Sequence, residues 1–156
     1  MKKELACAGV ILWMIVIFYL SHQPAHVSNE LSKGVAMVVS KNFEIVSSGV
    51  DFNLGNFNHI IRKYAHFLLY CVLGLFVISM LKKYGLVGLK GIVFSIMICI
   101  LFSISDEWHQ LFVPGRGAQV SDVLIDSAGA IVGIIGYTGI GWLKELKRTG
   151  SLYQRE

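Results

Sequence analysis

The residues of this chain that could do acid–base or ligand chemistry are crowded into two short stretches. SDEWHQLFVPGRGAQVSDVLID, from Ser105 to Asp126, holds Asp106, Glu107, His109, Gln110, Arg116, Asp122 and Asp126. HIIRKYAHFLLY, from His59 to Tyr70, holds Arg62, Lys63 and His66. Imidazole titrates near neutral pH and a carboxylate beside it orients the ring. His66 or His109, held by Asp106 or Asp126 and supported by Glu107, is therefore a candidate acid/base pair. Arg62, Lys63 and Arg116 suit a phosphate or carboxylate group, with Gln110 and Asp122 as polar partners in binding it.

Two other uses of the same residues stay open. Asp106, Glu107 and His109 with His66 and Asp126 offer oxygen and nitrogen ligands to a divalent cation such as Mg, Mn or Zn, although HExxH is missing and the neighbouring basic residues oppose a cation. The three cations and the four carboxylates Asp106, Glu107, Asp122 and Asp126 can also balance as an ion-pair network that fixes helix register, once one histidine is protonated. No glycine-rich phosphate loop follows a strand and no GxSxG elbow is present, and Ser121 reads as a helix cap rather than a nucleophile.

The elements that must position these groups are membrane spans. The 156 residues are 54% hydrophobic and only 15% charged, against roughly 25% charged in soluble domains, and the mean hydropathy is +0.62. The net charge of +4 comes from basic residues at the ends of apolar runs rather than from one patch, which argues against nucleic acid. Cys7, Cys71 and Cys99 all lie inside apolar runs without CxxC spacing, as packing residues do.

Four apolar segments, about 5–20, 64–81, 86–105 and 123–142, approach the ~20 residues needed to cross the bilayer as helices. The first lacks a small-x-small cleavage site and reads as an uncleaved span rather than a signal peptide. The fold class expected is all-α, an integral membrane four-helix bundle forming a single domain over 1–156. Placing both termini in the cytoplasm puts nine of the fourteen Lys and Arg residues on the inner side, as the positive-inside rule requires. Residues 21–61 then form an outer loop. Within it Leu31, Val35, Val38 and Val39 recur at helical spacing and predict a short amphipathic helix on the outer surface or over the bundle; Asn42–Asn58 reads as loop.

At 100° per residue, His59, Arg62, Lys63, His66 and Tyr70 share one face of the second helix, and Cys99, Ser103, Asp106, Glu107 and Gln110 one face of the third. Asp122 and Asp126 are one turn apart on the fourth, above Gly129 and Gly133, whose small-xxx-small spacing allows close helix approach. Ionisable groups are costly near hydrocarbon, so the three polar faces are expected to meet in one recess in the outer half of the bilayer. His22 and His26 read as solvated interface residues, and Trp13, Tyr19 and Trp142 as interface or core aromatics.

RKYAHFLLYCVLG at Arg62–Gly74, SDEWHQLFVPGRGAQVSDVLIDSAGAIVG at Ser105–Gly133, and a first span ending in SHQP resemble the VanZ-like family of bacterial membrane proteins. The resemblance implies a multi-pass protein of the bacterial plasma membrane. It also implies a link to the cell envelope and to resistance against teicoplanin, a lipoglycopeptide. Membrane lipids, an envelope precursor or a lipoglycopeptide are the partners expected on this basis, with no nucleic acid. Two functions follow as expectations: acid/base group transfer or hydrolysis on a phosphate-bearing envelope lipid, or non-catalytic binding of a lipid headgroup or antibiotic.

Overall fold

The computed structural model describes residues 2–28, 30, 33–34 and 54–153, with side chains over 3–28, 30, 33–34 and 60–147. Four long helices follow one another: α1 (Lys2–Ser21), α2 (Leu54–Lys83), α3 (Gly88–Gln110) and α4 (Val120–Tyr153). All four are long and apolar enough to cross a membrane, over Lys3–Ser21, Ile60–Lys83, Gly88–Gln110 and Val120–Lys147. No strand occurs among the described residues. The protein is an all-helical membrane bundle.

The bundle is built inside out relative to a soluble domain. Leu12, Ile15, Leu68, Phe94, Leu101 and Ile135 are exposed, while Ser95, Ser103, Asp106 and Asp126 are buried. That distribution suits a lipid surround, where apolar side chains lose nothing by facing outward and polar ones must find partners inward.

α2 is the central helix and packs against each of the other three, most extensively against α4. The reason is small residues on both faces. A Cβ added at Gly129 would strike the Phe67 carbonyl, one at Gly133 the Cys71 carbonyl, and one at Gly74 the Ala130 carbonyl. The two backbones therefore touch directly, as small-xxx-small spacing permits. Tyr70, Leu73 and Val77 of α2 pack with Val10 and Ile17 of α1, Cys99 of α3 and Ala130 of α4. Trp13 donates its indole N–H to the Leu69 carbonyl at 2.9 Å, which makes it a bundle residue rather than an interface anchor. The three cysteines are free thiols.

α2 begins at Leu54, inside the stretch whose glycines and asparagines predict a loop. The helix runs through Asn56 and Asn58, whose local propensity opposes it. α1 ends at Ser21, before Pro24, and residues 25–28 make a further helical turn. The amphipathic pattern on Leu31, Val35, Val38 and Val39 lies outside the described residues. Between α3 and α4, Gly115 adopts φ +75°, a left-handed conformation for which glycine is suited. This turn touches the segment after α1, where Ala25 N–H donates to the Pro114 carbonyl at 3.3 Å.

Candidate functional site

The polar faces of α2, α3 and α4 meet at one end of the bundle. His66 stands seventeen residues before Lys83 on α2, about 25 Å along the axis at 1.5 Å per residue. It is thus almost a full hydrocarbon thickness from the Lys82–Lys83 end. Arg62, Lys63 and His66 of α2, Gln110 of α3, Arg116 of the turn, and Asp122, Ile125 and Asp126 of α4 line a small recess, with room for about one water molecule in its closed part.

Behind the recess lie two carboxylates with no solvent exposure at all, Asp106 and Asp126. Each has one oxygen engaged and one bare. Asp106 Oδ2 accepts from Ser21 Oγ at 2.7 Å and from Tyr70 OH at 3.4 Å. Asp126 Oδ2 accepts from Ser103 Oγ at 3.3 Å. Asp106 Oδ1 and Asp126 Oδ1 have no hydrogen-bond partner. His66 Nδ1 stands 3.7 Å from Asp126 Oδ1, close enough to interact and too long for a hydrogen bond. One ligand atom from each of His66, Asp106 and Asp126 lies within 4.8 Å of the others.

Around the mouth the charges are only partly matched. Lys63 Nζ pairs with Asp122 Oδ1 at 2.9 Å and reaches Ser121 Oγ at 3.4 Å. Among the described residues, neither Arg62 nor Arg116 makes an ion pair with a carboxylate. The Arg116 Nε is buried without a partner. Its own burial, then the neighbouring Arg62, lowers the Arg116 pKa from the usual guanidinium value, against the pull of Asp106, Glu107 and Asp122. Among the described residues the balanced network that a charge count allows is therefore incomplete: two guanidinium groups line the recess with no carboxylate within ion-pair distance.

The remaining sequence-predicted residues take other places. Glu107 is buried beneath the turn, where its Oε2 accepts the Gln119 backbone N–H at 2.9 Å and ties the turn back to α3. Gln110 is buried on the recess wall with its Nε2 unpartnered. His109 stays outside the recess: its ring stacks on Phe18 at 4.1 Å, and its Nε2 lies 3.0 Å from His22 Nδ1. His109 and Asp106, three positions apart, both turn toward α1: Asp106 meets Ser21, and His109, nearer the helix end, meets Phe18 and His22 instead of the recess. Ser121 is one residue inside α4, which starts at Val120, and so does not cap it. Its hydroxyl lies 3.1 Å from Asp122 Oδ1 and 3.3 Å from Gln119 Oε1.

Three contributors escape reading by residue type. Ser21 closes α1, a helix otherwise without site residues, and reaches Asp106 across the bundle. Tyr70 and Ser103 carry a usable signal, since each lies on its helix's polar face below the charged residues. Together they give this end of the bundle an imidazole and two carboxylates inside, two hydroxyls on Asp106 and one on Asp126, and at the entrance two guanidinium groups without a carboxylate partner among the described residues. Such a set can bind an anionic group and move a proton beside it.

A model of the VanZ/LLP1 family matches residues 7–143, which takes in most of α1, the described site and most of α4. No curated protein and no solved structure matches the chain.

Proposed function

Because the chain belongs to the VanZ/LLP1 family and carries this recess, we propose that it acts on a phosphate-bearing envelope lipid or precursor at the outer face of the bacterial plasma membrane. The reaction is hydrolysis or group transfer. The observation that carries this reading is the pair of guanidinium groups, Arg62 and Arg116, which line the same recess as His66 and Asp126 and have no carboxylate partner among the described residues. An anion that satisfies them sits next to the proton-accepting groups. Planar guanidinium forks match phosphate oxygens in pairs and stabilise charge that develops on them.

In this reading both termini are cytoplasmic and the recess opens into the outer leaflet, so a lipid reaches it without leaving the membrane. Arg62 and Arg116 hold the phosphate, while Lys63, already paired with Asp122, and Gln110 frame it. Water attacks phosphorus, its proton passes to the His66–Asp126–Asp106 cluster, and the bond to the departing alcohol breaks as a proton returns to the leaving oxygen. Removing or altering an envelope lipid in this way gives the family's link to teicoplanin resistance a chemical basis.

The test uses the full chain in lipid nanodiscs with phosphatidic acid as probe. Wild type is expected to bind the probe and release inorganic phosphate, with binding lost in Arg62→Gln/Arg116→Gln and release lost in His66→Ala. Retention of the probe without release assigns the recess to recognition and overturns the catalytic part. Equal binding by wild type and the double arginine variant overturns the whole reading.

A further inference from the structure

We propose that His66, Asp106 and Asp126 form the ligand set of a single divalent transition-metal ion, Zn²⁺ or Mn²⁺. The proposal revises the reaction centre described above, whatever the lipid: with an ion bound these three side chains would be ligands, and the ion rather than the bare cluster would activate the attacking water.

Two fully buried carboxylates facing each other across α3 and α4 repel when both are ionised, and water cannot screen them there. They need a cation or a shared proton. The basic residues do not supply the cation: Lys63 is taken by Asp122, and neither Arg62 nor Arg116 reaches Asp106 or Asp126 within ion-pair distance. Among the described residues, the only basic group in range is His66, at 3.7 Å from Asp126.

The hydrogen bonds around the carboxylates favour a metal. Each aspartate is oriented by hydroxyls on Oδ2, from Ser21 and Tyr70 on Asp106 and from Ser103 on Asp126. Each leaves a buried Oδ1 with nothing to bond. One oxygen anchored by an outer partner and the other free is how a carboxylate is held for monodentate ligation. Ligand atoms from three different helices lie within 4.8 Å of one another, and a side-chain adjustment on the order of 1 Å brings them to bonding distance of one ion, at ~2.0–2.2 Å from each.

One nitrogen with two carboxylate oxygens selects the metal. Imidazole suits Zn and the first-row metals, carboxylate suits Mn and Mg, and no thiolate is among the three. A divalent ion neutralises the two aspartates with His66 uncharged, which leaves Arg62 and Arg116 free for the substrate anion. Three protein ligands would leave room for a water, and on Zn²⁺ that water would ionise near neutral pH.

The experiment is metal analysis of the full-length protein, purified in detergent, chelator-stripped, reloaded with Mn²⁺ and passed over a gel-filtration column. The expected result is one Mn²⁺ per chain, with a directly bound histidine nitrogen seen in the ion's electron spin-echo modulation. Asp106→Asn and Asp126→Asn should each lose the ion. Ser103→Ala should weaken it on the order of tenfold, as outer partners of metal ligands do. His22→Ala/His109→Ala should keep it, since that exposed imidazole pair is the competing site. Should a ligand variant fail to fold, the nitrogen signal of wild type against His66→Ala decides. Absence of bound Mn²⁺ and Zn²⁺ in wild type, an ion lost only with His22 and His109, or an infrared band of a protonated carboxylic acid in metal-loaded wild type that vanishes in Asp126→Asn, each overturns the proposal. No lipid enters this measurement, so its failure leaves the lipid reading standing, and the reverse.

Discussion

Gly129 of α4 lies directly against the backbone carbonyl of Phe67 in α2, and this contact sits beside the site. Phe67 follows His66 in sequence, and Gly129 is three residues past Asp126. The distance between the imidazole and the carboxylate is therefore set by how closely two backbones approach, not by the side chains alone.

Widening that approach should harm both fold and site. Gly129→Ala or Gly133→Ala places a methyl group on backbone that cannot swing away, and is expected to destabilise the bundle by about 1–3 kcal/mol. Gly136, one turn further along α4, has nothing within 4 Å of an added Cβ. Gly136→Ala should be neutral or slightly stabilising through helix propensity. Equilibrium unfolding in mixed detergent measures all three.

Ser21 is expected to matter more than Tyr70 to the buried carboxylate. Its bond to Asp106 is 2.7 Å long, against 3.4 Å for the tyrosine. Ser21→Ala should cost about 1–3 kcal/mol by leaving an acceptor unsatisfied, and Tyr70→Phe less than about 1 kcal/mol. Thermal unfolding of the two variants side by side gives the comparison, and equal losses would count against it.

The Lys63–Asp122 pair is partly open to solvent, with side-chain exposures of 24% and 18%. Lys63→Met should therefore change stability by no more than about 1 kcal/mol. What little it costs should shrink as salt is raised. Unfolding midpoints at low and high ionic strength read this.

Glu107 should act on the turn instead of the recess. Glu107→Gln weakens its bond to the Gln119 N–H, a charge-assisted contact worth about 1.5–3 kcal/mol. The expected outcome is faster amide exchange over residues 112–119, with the rest of α3 unchanged. Hydrogen exchange followed by mass spectrometry locates the effect.

Arg116 should not tolerate lysine. A point charge on a flexible stem cannot make paired contacts to phosphate oxygens. Arg116→Lys is thus expected to weaken phosphatidic acid binding about tenfold, close to the loss in Arg116→Gln. Titration into nanodiscs carrying each variant measures it.

Much of this architecture was legible in the chain itself. Composition and four long apolar runs specify a helical membrane bundle, because a backbone in hydrocarbon must satisfy its own hydrogen bonds. Helical periodicity places Asp106, Glu107 and Gln110 on one face and stacks Asp126 above Gly129 and Gly133, and all six are buried. The start of α2 was not legible, since Asn56 and Asn58 favour a turn locally.

What the tertiary structure decided was pairing. Periodicity treats His66 and His109 alike as partners for an aspartate, yet one faces Asp126 and the other stacks on Phe18, because rotation of α3 about its own axis is set by neighbours far away in sequence. Spacing along a helix says which side chains share a face. Which faces meet, which oxygen of each aspartate is left bare, and which arginines stay unpaired depend on contacts between helices, and those are made only when Gly129 and Gly133 let α4 come down onto α2.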